Sequence, residues 1–234
     1  MSMERRRVLK GGAALAAASV LPAAPEQAAS RLVPPARGRI SVAFVVSDDA
    51  TVIDFTGPWE VFQDCPAEVR APEDDGQPPF RLFTVAARAD TVRVTGGMQV
   101  VPDFTVEDAP APHVIVVPAH RSSPRLLDWI AKASASADLT MSVCTGAFAL
   151  ARAGLLKGRP ATTHHLFLDR LAREFPDVEV RRGRRFVETG RIATAGGLTS
   201  GIDLALRVVE RYFGRPAAQA TADYMEYQGT GWRV

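Results

Sequence analysis

Cys144 stands in Ser142-Val143-Cys144-Thr145-Gly146, directly after the apolar run Leu139–Val143 and before residues that read as a helix. A side chain on a sharp strand-to-helix turn is pushed out of the sheet toward a cleft. A helix that starts there offers free backbone N–H groups and the positive end of its dipole, and both favour a thiolate. Together they predict a depressed thiol pKa and a nucleophile. The alternative is an inert core cysteine, the commoner fate of a lone thiol. Gly146 would let backbone or substrate approach closely. Metal chemistry finds little support. The chain has two Cys with no C-x-x-C pair and four His, of which the adjacent His164 and His165 would point apart with no third ligand nearby. No metal and no cofactor are expected.

The elements that must position Cys144 follow from the apolar pattern. Ile40–Val46, Phe80–Ala86, His113–Val117 and Leu139–Val143 are short, nearly continuous apolar runs, the mark of strands buried on both faces. Short strands are also expected at Arg159–Thr163 and Arg191–Ala195, and a hairpin at Val92–Val101 around Gly96-Gly97. A second hairpin is expected to join Val178–Arg181 to Arg185–Glu188 around Gly183. Helices are expected from Gly57, with Pro58 near the first helical position, and over Ser123–Ala135, Gly146–Ala153, Leu166–Phe175, Ser200–Tyr212 and Arg215–Tyr227. Strands alternating with helices imply an α/β fold, a mostly parallel sheet with helices on both faces. Ligands in such folds sit outside the carboxyl ends of the strands. The loops Ser47–Gly57, Pro118–Ser122 and Cys144–Gly146 therefore matter most.

Length and composition fit one globular domain: 234 residues, 47% hydrophobic and 23% charged. The formal charge of +2 resides in the N-terminus, where Arg5, Arg6, Arg7 and Lys10 outweigh Glu4 and Glu26; the remainder is neutral. A neutral body has no general field for nucleic acid, and none is expected as a partner. The run Arg181–Arg185 reads as a solvated turn. Residues 1–29 have the order of an export signal: a basic start, an apolar run from Gly11 to Leu21, then small residues. Arg5-Arg6-Arg7-Val8-Leu9-Lys10 resembles a twin-arginine motif, which implies a periplasmic or secreted protein that meets the twin-arginine export machinery. Cleavage would fall after Ala24 or Ala29. Residues 30–38, with Pro34 and Pro35, read as a linker, and residues 39–230 as the domain.

Five stretches in order carry a family resemblance: Asp54-Phe55-Thr56-Gly57-Pro58, Ser142–Leu150, Ala153–Gly158, Ala161–His164 and Gly196–Asp203. They resemble the ThiJ/PfpI superfamily, relatives of class I glutamine amidotransferases, and within it most the isonitrile hydratases and the amidotransferase-like domains of some transcription regulators. The resemblance runs from about Ile40 to Tyr227. It implies a flavodoxin-like three-layer sandwich, usually a homodimer, with Cys144 as nucleophile. It further implies Asp54 as the acid beside the thiol and Thr145 as a third participant. Physics agrees on Asp54, since a carboxyl in an apolar cleft holds its proton to higher pH and can relay it; as a cap or turn residue it would do neither. His120, Ala119, Gly57, Gly146 and His164 are then expected to border a small-molecule substrate.

Two departures shape the expected chemistry. Many relatives carry His directly after the nucleophile, where this chain has Thr145, which disfavours protease-like hydrolysis. Relatives usually show Pro-Gly-Gly after the third strand, where this chain has Pro118-Ala119-His120. The His120 amide could donate to an oxyanion, and its imidazole could act as a base, narrow the pocket or simply face solvent. Glu60 is expected at the surface, Trp59 in the pocket wall or a dimer face, and Cys65 as a thiol unrelated to Cys144. The resemblance as a whole implies an exported isonitrile hydratase-like lyase. The alternatives are a non-catalytic ligand- or redox-sensing module, and a cysteine hydrolase of amides or aldehydes.

Overall fold

The computed structural model describes residues 30–69 and 77–234. Residues 1–29, which carry the export pattern, lie outside them. The strands are β1 (Ile40–Val45), β2 (Phe80–Ala86), β3 (Val92–Arg93), β4 (Gln99–Val100), β5 (Phe104–Thr105), β6 (Val114–Val117), β7 (Leu139–Ser142), β8 (Pro160–Ala161), β9 (Glu179–Val180), β10 (Phe186–Thr189) and β11 (Ile192–Ala195). The helices are α1 (Val52–Gln63), α2 (Pro124–Ser134), α3 (Gly146–Arg152), α4 (Leu168–Glu174), α5 (Ser200–Phe213) and α6 (Arg215–Tyr224). The main sheet has the order β10-β11-β7-β6-β1-β2-β5. Every pairing in it is parallel except β10 with β11.

The order β2-β1-β6-β7-β11 is that of a flavodoxin-like doubly wound sheet, whose direction of winding reverses between β1 and β6. Alternate side chains of β6 show how both faces are covered. Val114 and Val116 pack in the cluster that includes Val61 of α1, Leu204 of α5 and Ala218 of α6, while Ile115 and Val117 pack with Leu126 and Ile130 of α2 and Leu150 of α3. The expected three-layer α/β sandwich is the observed one. Ser123 caps α2 by accepting a hydrogen bond from the Leu126 N–H at 3.3 Å, with Pro124 at the first position.

Three expectations about elements change. The first helix starts at Val52, five residues before Gly57, so Pro58 lies inside it and Asp54 sits in its first turn. Gly183 does not join a hairpin: β9 pairs in parallel with β8, and β10 turns back onto β11 through Gly190 at φ 60°. An apolar pattern identifies strands but not their partners, and Gly190 offered the competing turn. Residues 30–38 are also more than a linker. Leu32 is buried, its N–H donates to the Arg211 carbonyl at 2.9 Å, and Arg211 Nε donates to the Ser30 carbonyl at 3.0 Å. The basic run is largely paired at its ends, Arg181 with Glu179, Arg182 with Asp169 and Arg185 with Asp203.

Gly146 locks the first turn of α3 against the end of β6. A Cβ there would lie 2.1 Å from the Val117 carbonyl oxygen and 2.7 Å from that of Pro118, both rigid backbone atoms. Its role is thus close backbone approach, and no space for substrate remains on that side. Gly146→Ala should cost about 3 kcal/mol, read as a loss of soluble yield and a lowered urea midpoint; an unchanged midpoint would show that α3 can shift freely.

Candidate active site

Asp54, Ala119 and Cys144 meet at the carboxyl ends of β1, β6 and β7, where the winding reverses. Cys144 takes a positive φ of 57°, a conformation costly for a residue with a Cβ. Its neighbours hold it there: its N–H donates to the Gly196 carbonyl at 2.7 Å, and its own carbonyl accepts from Thr163 Oγ1 at 2.8 Å. The strand end β11 and the segment after β8 therefore clamp the turn from both sides. The residue is 7% exposed and packs with the core cluster.

Asp54 is 0% exposed. Its Oδ2 accepts the Ala119 N–H at 3.0 Å, and the Thr51 N–H returns a bond to the Ala119 carbonyl at 2.9 Å. These two bonds tie the start of α1 to the end of β6. Oδ1 has no hydrogen bond of full geometry among the described residues. Burial raises the Asp54 pKa to about 6, opposed in part by the Ala119 and Leu198 N–H groups and the Cys144 thiol. Carboxyl and thiol are therefore adjacent and coupled.

The expected depression of the thiol pKa is corrected. Burial, and next the Asp54 carboxylate, push Cys144 up to about 11. The Thr145 N–H and hydroxyl and the Leu198 N–H pull the other way without prevailing. α3 has only seven residues, so its dipole is short, and the buried carboxylate opposes a second negative charge. Thr145 thus reaches the sulfur through both its N–H and its hydroxyl. The Thr145 N–H points at the sulfur, where an oxyanion formed on a sulfur-bound carbon would also lie.

His120 is occupied rather than free. Its Nδ1 bonds the Pro118 carbonyl at 2.8 Å, which assigns the proton to Nδ1, and Nε2 then accepts from Ser122 Oγ at 3.1 Å. Burial holds its pKa below the ordinary value. A base role for this imidazole loses its free nitrogen. Gly57 faces Ile202 of α5, 3.0 Å from where a Cβ would stand, and so serves helix packing. The ring of His164 rests on Gly197, stacks on His165 at 4.4 Å and accepts the Leu166 N–H at 3.3 Å. Trp59, half-buried, packs against the core on Phe44 at 4.9 Å, and Glu60 is exposed. Cys65 is a buried free thiol beside Thr221, pushed up to about 12 by burial.

Leu198 is the participant that residue types conceal. It has a positive φ of 53°, is 43% exposed despite its apolar side chain, and turns its N–H toward both Asp54 and Cys144. Its function resides in its backbone, so only its place in the Gly196-Gly197-Leu198 turn could have pointed to it.

A doubly wound sheet with a strained cysteine turn and a buried acid beside it defines a class of cysteine-centred α/β proteins. The model of the DJ-1/PfpI family matches residues 40–211, and the chain belongs to that family. The isonitrile hydratase of Pseudomonas putida is 32% identical over 194 residues, covering 80% of this chain and 78% of that protein. The HTH-type transcriptional regulator GbdR of Pseudomonas aeruginosa is 28% identical over 202 residues, and the chain spans 53% of its length. A solved ThiJ/PfpI family protein from Pseudomonas syringae superposes with a TM-score of 0.71 at 27% identity, over 82% of this chain and 76% of that one. DJ-1beta of Drosophila melanogaster shares the fold, with a TM-score of 0.67 at 16% identity over 82% of this chain and 100% of that one.

Asp54→Asn separates the cost of the site from its use. The folded pKa of about 6 lies above the ordinary carboxyl value of 3.8. Ionising Asp54 therefore destabilises the folded state as pH rises from about 4 through 6, on the order of 3 kcal/mol above that window. Asn keeps an acceptor for the Ala119 N–H without the charge. The variant should melt roughly 5–10 °C higher than wild type at pH 8 and nearly level with it at pH 4. Removing the carboxylate should also lower the Cys144 pKa. Iodoacetamide labelling of Cys144 at pH 7.5, read by peptide mass spectrometry, should be at least about tenfold slower than for free cysteine and faster in Asp54→Asn. Equal rates in the two proteins would show the groups to be uncoupled.

Proposed function

We propose that the protein hydrates an isonitrile, R–N≡C, to the N-substituted formamide. The observation that carries this reading is the buried Asp54 carboxyl coupled to Cys144. A thiol at about 11 and a carboxyl at about 6 share one proton, which rests on sulfur at neutral pH. A substrate whose terminal carbon accepts both a nucleophile and a proton suits that pair. Sγ bonds the isonitrile carbon while the thiol proton passes through Asp54 to the same carbon, giving the thioimidate R–N=CH–S. Water, deprotonated by the Asp54 carboxylate, then adds to that carbon, and Asp54 passes the proton it took to the nitrogen. The adduct's hydroxyl proton moves through Asp54 to sulfur as the C–S bond breaks, and R–NH–CHO leaves. Thr145 and the amides of residues 120 and 145 orient the intermediate. No cofactor takes part in this sequence. The likeness to the Pseudomonas putida isonitrile hydratase supports the substrate class.

The same reading makes the protein an exported homodimer, periplasmic or secreted, that acts on a small molecule and not on nucleic acid. The Arg5–Lys10 pattern and the neutral body support it. A sensing module is the second reading, favoured by the regulators among the relatives and by the muted thiol. A hydrolase of amides or aldehydes would need His120 as base, and both of its ring nitrogens are engaged.

The reduced protein lacking residues 1–29 should convert an alkyl isonitrile to its formamide, followed by chromatography. Cys144→Ala and Asp54→Asn should each lower kcat by about 100-fold or more. Binding without turnover across varied isonitriles would favour the sensor instead. For export, a reporter fused to residues 1–38 should reach the periplasm, and replacing Arg5 and Arg6 by Lys should retain it inside; passage of the altered fusion would discard the twin-arginine route.

A further inference from the structure

One peptide group, Pro118–Ala119, stands between the His120 imidazole and the Asp54 carboxyl. Its carbonyl, that of Pro118, accepts from His120 Nδ1 at 2.8 Å, and its N–H, that of Ala119, donates to Asp54 Oδ2 at 3.0 Å. The C=O and N–H of a trans peptide point to opposite sides, so imidazole, peptide and carboxyl form a single row. The same carbonyl is seated on α3: a Cβ on Gly146 would stand 2.7 Å from its oxygen and 3.0 Å from its carbon. His120 is set in turn by Ser122, whose Oγ donates to Nε2 at 3.1 Å and leaves Nδ1 as the protonated nitrogen. Burial lowers the His120 pKa, the Pro118 carbonyl opposes that, and the Arg152 charge of α3 adds to it. The donor is thus a neutral imidazole. The titratable group that faces Asp54 is Cys144.

We propose that His120 is a positioning residue for the acid: by donating to the Pro118 carbonyl it sets how firmly the Ala119 N–H holds Asp54, and so the pH at which the carboxyl beside Cys144 gives up its proton. Two effects act through the peptide. A peptide that accepts at oxygen is a stronger donor at nitrogen, because hydrogen bonds in a chain polarise one another. The bond also resists rotation of the peptide plane, which would take the N–H off Oδ2 and turn a carbonyl dipole toward a carboxylate. Both favour the ionised form of Asp54, whose other oxygen has no full hydrogen bond among the described residues. The inference takes the Asp54–Cys144 pair from the isonitrile reading and adds the residue that adjusts its acid.

The test reads protonation and not turnover. Carbon-13 in the aspartate carboxyls lets the titration of Asp54 be followed by NMR in the reduced protein, its signal identified by its loss in Asp54→Asn. The wild-type midpoint should lie at about 6. His120→Ala should raise it by about one unit. His120→Asn keeps an amide that can donate to the Pro118 carbonyl and should return the midpoint to the wild-type value. A midpoint that His120→Ala leaves in place, or that His120→Asn moves as far as His120→Ala does, overturns the inference. Nitrogen-15 NMR of the wild-type imidazole decides the matter even where His120→Ala does not fold: the proton should reside on Nδ1, and a proton on Nε2 alone overturns the donor role. Failure to hydrate any isonitrile overturns the reaction and leaves these readings as they are, while an unmoved Asp54 titration overturns the role of His120 and leaves the reaction standing.

Discussion

The bond from the Ala119 amide to Asp54 Oδ2 is the constraint on which the site depends. It crosses the point where the sheet changes its direction of winding, and it fixes the start of α1 to the end of β6. Without it, a carboxyl with no exposure would lack its one full hydrogen bond, and a buried charge with no partner costs several kcal/mol. The same bond sets the orientation of the carboxyl beside the sulfur. Packing, chain direction and acidity are therefore adjusted by a single contact.

The electrostatics of the pair depart from the usual picture of a reactive cysteine. Two N–H groups and the Thr145 hydroxyl act on the sulfur at the start of a helix, yet burial and the neighbouring carboxylate outweigh them. With the thiol at about 11 and the carboxyl at about 6, the proton rests on sulfur at neutral pH. Such an arrangement suits an addition in which nucleophile and proton end on the same carbon. It suits less well an acyl transfer, which needs a standing thiolate or a free imidazole.

Much of the fold was legible because the parallel strands are buried on both faces and so read as apolar runs; Phe80–Ala86 matches β2 residue for residue. Cys144 was legible because strand, cysteine, Thr-Gly and helix follow one another without a gap. The start of α1 was not, since Pro58 suggested a boundary and a proline inside a helix runs against local preference. The antiparallel β10–β11 pairing escaped because two glycine turns competed and tertiary contacts chose between them. The direction of the thiol shift escaped for a different reason: helix dipoles can be read from a sequence, whereas desolvation depends on how deeply the chain buries the atom. Leu198 acts through its backbone, which a side-chain alphabet does not encode.

Arg211 is almost wholly buried, and it accepts the incoming chain by holding the Ser30 carbonyl and receiving the Leu32 amide. It also pairs with Glu188 of β10 at 3.0 Å and donates to the Gly190 carbonyl at 3.4 Å, so residues 30–32 are latched to the edge strand of the sheet. Removing Ser30 would take one of the three acceptors from a buried guanidinium, and removing Leu32 would expose an apolar side chain packed in the core. The reach of one arginine thus carries the folded body back at least to Ser30.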